Sequence, residues 1–167
     1  MQRITNIGCL LTMSVLSLAA CGQGGNTGAG AGDSRVRLNS NNAYSQFGDY
    51  VVHVSAMLTS DLTPQVAQSY GITRSENQAL VNLVVLKRSE NVGGDTPVVA
   101  DVSMSAANLT GQLKNSELRE IVDGASVYYI GETTVDDRET INFDFDVRPK
   151  DSSRQLLIRF THQFYTR

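Results

Sequence analysis

The chain has 167 residues, 41% hydrophobic and 19% charged, with a formal net charge of −3 and two cysteines, Cys9 and Cys21. That apolar content suffices for one packed domain. The mild acidity excludes the basic face that nucleic-acid binding requires and gives no charge attraction to anionic lipid.

Residues 1–20 have the layout of a secretory signal, with Arg3 ahead of an apolar run from Ile7 to Leu18 and small residues Ala19 and Ala20 closing it. A dozen or so apolar residues fall short of the roughly 20 that a spanning helix needs. Leu18-Ala19-Ala20-Cys21 looks like the bacterial lipobox, which predicts lipidation of Cys21 and attachment to a membrane through its acyl chains. Gly22 stands where an aspartate often signals inner-membrane retention, so the expected location is the periplasm-facing outer membrane of the cell envelope. Cys9 leaves with the signal peptide, and Cys21 is alkylated. The mature fold then has no disulfide and no thiol chemistry.

Residues 22–42 are rich in Gly, Asn and Ser without apolar periodicity, and read as a flexible tether reaching roughly 25 Å. A single domain is expected over residues 43–167. "YVVHVSAML" from Tyr50 alternates as a strand. Thr63, Pro64 and Gly71 then bracket a helix of two turns at most, expected as a crossover or lid between sheets. "LVNLVVLKR" from Leu80 is apolar on both faces and predicts a central strand. The turn signal Gly93-Gly94-Asp95 suggests that "VVADVSMSA" from Val98 returns as its partner. Residues 116–122 fit a short helix or a strand. The strands "SVYYIGETTV" from Ser126, "TINFDFDV" from Thr140 and "QLLIRFTHQFY" from Gln155 read as a meander with turns at Asp136-Asp137 and across 149–153. The expected fold is all-β: an immunoglobulin-like antiparallel β-sandwich with one short helix, or alternatively a partly closed β-barrel.

Candidate chemistry is sparse. His53 lies on the less apolar face of its strand, and His162 shares a face with Ile158, Phe160 and Phe164; both read as structural rather than catalytic. A Gly-x-Ser-x-Gly elbow and a phosphate-binding glycine loop are both lacking. The cluster Asp136, Asp137, Glu139, Asp144 and Asp146 lacks the glycine and terminal glutamate of a calcium loop, and reads as a solvated face. Arg74, Glu76 and Asn77 precede the apolar strand as candidate binding or loop-fixing residues. No catalytic residue, metal or cofactor is expected.

"QFGDYVVHVSA" from Gln46, "TSDLTPQVAQSYGITRSENQALVNLVVLK" from Thr59, "YYIGET" from Tyr128, "TINFDFDVRP" from Thr140 and "FTHQFYTR" at the end resemble the bacterial family catalogued as domain of unknown function 4426. The likeness spans residues 43–167 and is most specific from Gly48-Asp49-Tyr50 through Lys87. It implies a small exported protein with a sandwich-like β fold and carries over no activity or catalytic residue. The expectation is therefore a non-enzymatic envelope lipoprotein that contacts an envelope protein partner or assists an assembly. The alternative is a small-ligand-binding protein or enzyme with a cleft lined by histidine and arginine.

Overall fold

A computed structural model describes residues 35–40, 43–89 and 94–166, all within one compact unit, Gly32–Arg167. The expected signal peptide, Cys21 and most of the tether lie outside the described residues. In chain order the elements are β1 (Val36–Asn39), β2 (Tyr44–Phe47), β3 (Tyr50–Leu58), a 3-10 turn (Thr59–Asp61), α1 (Pro64–Ser69), β4 (Gln78–Lys87), β5 (Thr96–Pro97), β6 (Ala100–Asn108), β7 (Leu113–Lys114), β8 (Glu117–Asp123), β9 (Ser126–Thr134), β10 (Thr140–Pro149) and β11 (Leu156–Gln163). They form two sheets, ordered β1-β11-β10-β6-β7 and β2-β3-β4-β9-β8, with β5 on the side of β4. The chain thus forms the expected all-β sandwich with one short helix, and not a closed barrel.

The two-residue period of the strands builds the core. Along β10, Ile141, Phe143, Phe145 and Val147 are fully buried, and Ile158 and Phe160 of β11 pair beside them. Val52 and Val54 of β3 and Val81, Leu83 and Val85 of β4 cover them from the opposing sheet. Phe143 stacks on Phe160 at 6.3 Å between ring centroids and meets Phe164 edge-on at 6.4 Å. Each such side chain contributes roughly 1.5–3 kcal/mol by leaving water.

Four sequence expectations change. Residues 36–39, placed in the tether, form β1, because Leu38 drops into the inter-sheet core and the segment pairs in parallel with β11, from Val36 against Ile158 to Asn39 against Thr161. The segment from Val98 does not continue beside β4. Only β5 and the Val98 amide, which donates to the Val85 carbonyl, bond there, and β6 crosses to the other sheet, against β10. The tail is not a continuous meander, since β9 pairs with β4 and β8 while β10 and β11 form a hairpin in the opposite sheet. The helix does not lie between sheets: it joins β3 to β4, neighbours in one sheet, and packs on that sheet's outer face. Residues 117–123 resolve as strand β8.

Polar clamps hold both ends of β10. Beyond its last residue, the Asp151 carboxylate accepts from the Tyr50 hydroxyl (2.6 Å) and from Lys87 Nζ (2.7 Å), tying the β10–β11 turn to β3 and β4 of the facing sheet. Lys87 and then Tyr50 hold the Asp151 carboxyl below its ordinary range. In the same corner Arg154 donates to the Phe47 carbonyl, and Gly48, at φ +65°, sits where a Cβ would strike the Arg154 guanidinium. Gly48, Asp49 and Tyr50, the start of the most family-like run, therefore mark a corner whose left-handed backbone at Gly48 favours glycine.

Before the first residue of β10, Glu139 accepts from Lys114 Nζ, Asn108 Nδ2 and the Asp136 amide, gathering β6, β7 and the crossover from β9. Both charged side chains are mostly buried, with relative exposures of 11% for Lys114 and 12% for Glu139. Burial alone raises the Glu139 pKa, but Lys114, the Asp136 amide and Asn108 together outweigh it and hold the carboxyl below its ordinary value of 4.5. A depressed carboxylate pKa stabilises the fold above the unfolded-state value, and that contribution disappears as pH falls through the folded-state value. Glu139→Gln is expected to flatten the acid limb of the stability–pH curve below pH 4.5, measured by urea unfolding from pH 7 to pH 3; an unchanged limb would show that the clamp does not govern acid stability.

Candidate functional site

α1 is specified by local chemistry. Thr63 caps its N-terminus by accepting from the Val66 amide at 3.3 Å, and Pro64 fills the first turn, where no amide is needed. Gly71, at φ +63°, reverses the chain, and the Ile72 amide returns to the Ala67 carbonyl at 2.8 Å. That reversal presses Ala67 and Ile72 onto Leu80 of β4 and Ile130 of β9, forming a second apolar cluster outside the main core. The Tyr70 hydroxyl donates to Asp123 Oδ2 at 3.1 Å and so ties the end of α1 to the β8–β9 hairpin; the bond to that carboxylate raises the Tyr70 pKa.

Beside this contact the helix stands off the sheet and leaves a cleft of about 270 Å³. Its walls include Met57, Leu62, Val66, Leu80, Ile121 and Ile130, and its polar atoms come from Ser55, Asn82, Tyr70 and Tyr128. Ser55 and Asn82 face each other across β3 and β4, and Asn82 Oδ1 is buried without a hydrogen-bond partner. An adjoining groove shares Val66, Tyr70 and Ile121 with the cleft and continues past Val122 and Asp123. Little in the sequence points to this place, because Asn82 reads as one polar interruption in an apolar strand.

The residues singled out from sequence do not converge on the cleft. His53 is exposed on the outer face of β3, its ring 5.7 Å from Tyr44. His162 is on the other sheet, 5.9 Å from the Phe160 ring and 4.7 Å from that of Phe164. Burial lowers its pKa, and Nδ1 has no hydrogen-bond partner. Arg74 donates to the Ser60 carbonyl at 2.6 Å, the Asn77 amide donates to Ser75 Oγ, and the Val135 amide donates to the Asn77 carbonyl. Thr59 of the 3-10 turn exchanges hydrogen bonds with the Ser75 backbone, and Glu76 is exposed beside it. Arg74 and Asn77 thereby fix the loop after α1 to the 3-10 turn and to the end of β9. Cys21 lies outside the described residues.

The outer carboxylates of β10 are held by neighbours. Asp144 receives two hydrogen bonds from the Arg159 guanidinium, at 2.7 and 2.8 Å, and Arg35 Nε lies 3.5 Å away. Asp146 accepts from Arg148 and Gln155. This face is a paired cross-strand ladder rather than a row of solvated charges. Among the described residues no group of three or more His, Cys, Asp or Glu is arranged to hold a metal.

A family model for a domain of unknown function, DUF4426, matches residues 44–167. The chain is similar to a crystal structure of a DUF4426 family protein from Pseudomonas aeruginosa PAO1, with 29% identity, a TM-score of 0.62, and coverage of 74% of this chain and 94% of that one. A family 123 glycoside hydrolase from Clostridium perfringens aligns at 10% identity over 70% of this chain and 27% of that one, with a TM-score of 0.31, too weak a likeness to bear on fold or activity. No curated protein matches the chain.

The local design of α1 carries a testable consequence. Thr63→Ala is expected to cost about 1 kcal/mol and to speed hydrogen exchange at Ala67 and Ile72, leaving amides of β10 protected.

Proposed function

The chain belongs to the domain of unknown function 4426 family, and on that premise we propose that it is a lipid-anchored protein of the bacterial envelope whose sandwich is a non-enzymatic module holding a partner protein along the free edge of β6. The anchor rests on Leu18-Ala19-Ala20-Cys21 behind an apolar run of signal-peptide length. Two or more acyl chains hold a protein on a bilayer where one does not. Because β1 begins at Val36, the spacer shortens to residues 22–35, a mean reach of roughly 20 Å for a glycine-rich chain. The domain then stands just off a membrane surface, periplasm-facing, with the outer membrane favoured by Gly22.

The observation that carries the interaction reading is the asymmetry of the strand edges. β7 covers β6 only at Ala106 and Ala107, so Asp101–Ser105 has β10 on one side and no described strand on the other. The Asn108 amide points to β7 and the Ala100 amide to the Tyr129 hydroxyl. By strand alternation, the backbone polar groups of Val102 and Met104 point to that same open edge. Edge strands are normally guarded by charge. β8 is guarded, with Glu117, Arg119, Glu120 and Asp123, whereas the open part of β6 has only Asp101. An extended partner segment adds to such an edge through main-chain hydrogen bonds. Arg74 in the loop and Asp144 and Arg159 on the outer face are committed to internal pairing, whereas the open stretch of β6 has backbone bonding capacity with little charge to guard it.

Two experiments test the two halves of the reading. Metabolic labelling with an alkyne fatty acid is expected to mark the wild-type chain and not Cys21→Ala; label retained by the variant refutes anchoring through that cysteine. A photo-crosslinking side chain at Ser103 is expected to capture a reproducible envelope protein in cells, while the same group at Arg119 captures none. Ser103→Lys with Ser105→Lys is expected to abolish that partner's copurification without lowering stability. Capture at Arg119 alone, or at neither position, overturns the edge assignment.

A further inference from the structure

We infer that the extended segment added to β6 carries an apolar side chain on its inward face and, two residues later, a Lys or Arg that meets Glu120 of β8. The inference rests on the reading of β6 as an open edge and adds to it the chemistry of the occupant.

The facing sheet supplies the first constraint. β8 is the last strand of its sheet and lies across the sandwich from β6. Met104 of β6 reaches Gly131 of β9, where an added Cβ would strike the Met104 thioether, and Gly131 pairs with Leu118. Nearer the start of β6, the Ala100 amide donates to the Tyr129 hydroxyl at 2.7 Å, and Tyr129 pairs with Glu120. Leu118 is therefore level with Met104, and Glu120 with the beginning of β6. Leu118 packs on the inter-sheet core while Ile121 joins the outer cluster, so Leu118, Glu120 and Val122 share the inner face of β8. Glu120 and Val122 are nonetheless exposed, because no described strand extends β6 far enough to cover them.

Strand geometry supplies the second. β6 pairs antiparallel with both β10 and β7, and a guest that continues this pattern runs from Met104 toward Val102. Residues directly opposite in an antiparallel pair have their side chains on the same face. Val102 and Met104 pack toward the core, so the guest residues opposite them also turn inward. The first of these meets Leu118, which calls for an apolar side chain. The second, two residues on, meets Glu120.

Charge decides the second position. Burial raises the Tyr129 pKa, and Glu120 and then Asp101 raise it further against the opposing pull of the Ala100 amide, so both carboxylates lie close to this hydroxyl. Asp101 has Lys150 beside it at 3.5 Å. No cation among the described residues pairs with Glu120. A guest carboxylate placed here meets a like charge, and a neutral side chain displaces water from Glu120 without replacing it. Lys or Arg does neither, so the inner face of β8 selects the sign of the strand that β6 binds.

The test uses the full chain in mild detergent and fluorescent capped heptapeptides of threonine with valine at the third place and either arginine or glutamate at the fifth. We expect the arginine peptide to bind about fivefold tighter than the glutamate peptide, the scale of one partly exposed ion pair. Glu120→Lys is expected to reverse that order. Glu117→Lys makes the same change in net charge on the outward face of β8, where Glu117 pairs with Glu132, and is expected to leave the order as it is. N-methylation of the valine amide, which removes a main-chain donor to β6, is expected to weaken both peptides. Equal affinity of the two peptides, with binding still lost on methylation, overturns the chemistry assigned to the guest and leaves the open edge standing. A preference that Glu117→Lys reverses as readily as Glu120→Lys is general attraction to an acidic protein and also overturns it. Binding that ignores methylation, or no binding of either peptide, overturns the edge and this inference together.

Discussion

The layer of side chains between the two sheets is the interaction on which every other feature of this domain depends. Both cysteines precede the described residues, so no covalent staple relieves the burden on packing. Phe143, Phe145 and Phe160 from one sheet must fit against Val52, Leu83 and Val85 from the other. Only then do β3 and β4 present a fixed outer face. α1 has six residues, too few to stand alone in water; it exists because Ala67 and Ile72 find Leu80 and Ile130 already held in register by the core behind them. The cleft is thus a consequence, two steps removed, of the aromatic layer.

Where packing ends, ion pairs and hydrogen bonds take over. Asp151 and Glu139 stand beyond opposite ends of β10, and each draws together elements far apart in sequence: β3 and β4 with the β10–β11 turn in one case, β6 and β7 with the β9–β10 crossover in the other. They differ in environment. Lys87 and Asp151 are partly exposed, with side-chain exposures of 43% and 40%, so solvent screens much of their attraction. Lys114 and Glu139 are nearly enclosed, so loss of either partner leaves a buried charge. The second clamp is the more consequential of the two for stability.

The division of labour across the surface follows from the same economy of polar groups. On the outer face of β10 and β11, Arg159 and Asp144 neutralise one another, and in the loop before β4 Arg74 is committed to the Ser60 carbonyl. The open stretch of the β6 edge keeps unspent backbone hydrogen-bonding capacity with little charge to guard it. It is a row of backbone groups suited to an extended chain. The family shares a fold and brings no assigned activity, so these local features carry the functional reading.

What the sequence determined by itself is what depends on short-range pattern. Alternation along "YVVHVSAML" and "TINFDFDV" specified β3 and β10 and their buried faces, because side-chain direction in a strand reverses at every residue. Thr63, Pro64 and Gly71 specified α1 through capping and backbone conformation alone. Strand pairing was decided by tertiary structure, because β5 and β6 part company between Pro97 and Ala100 over two residues that carry no periodic signal. The inclusion of β1 was decided there too: "VRLN" becomes a strand only because β11 offers an edge and the core has a place for Leu38. The same holds for the residues that matter most to the clamps and the cleft. Asp151, Arg154 and Lys114 lie in turns or beside them, and Asn82 interrupts an apolar run. Each acquires its role from a partner on a different element, a relation that exists only once the two sheets have closed on each other.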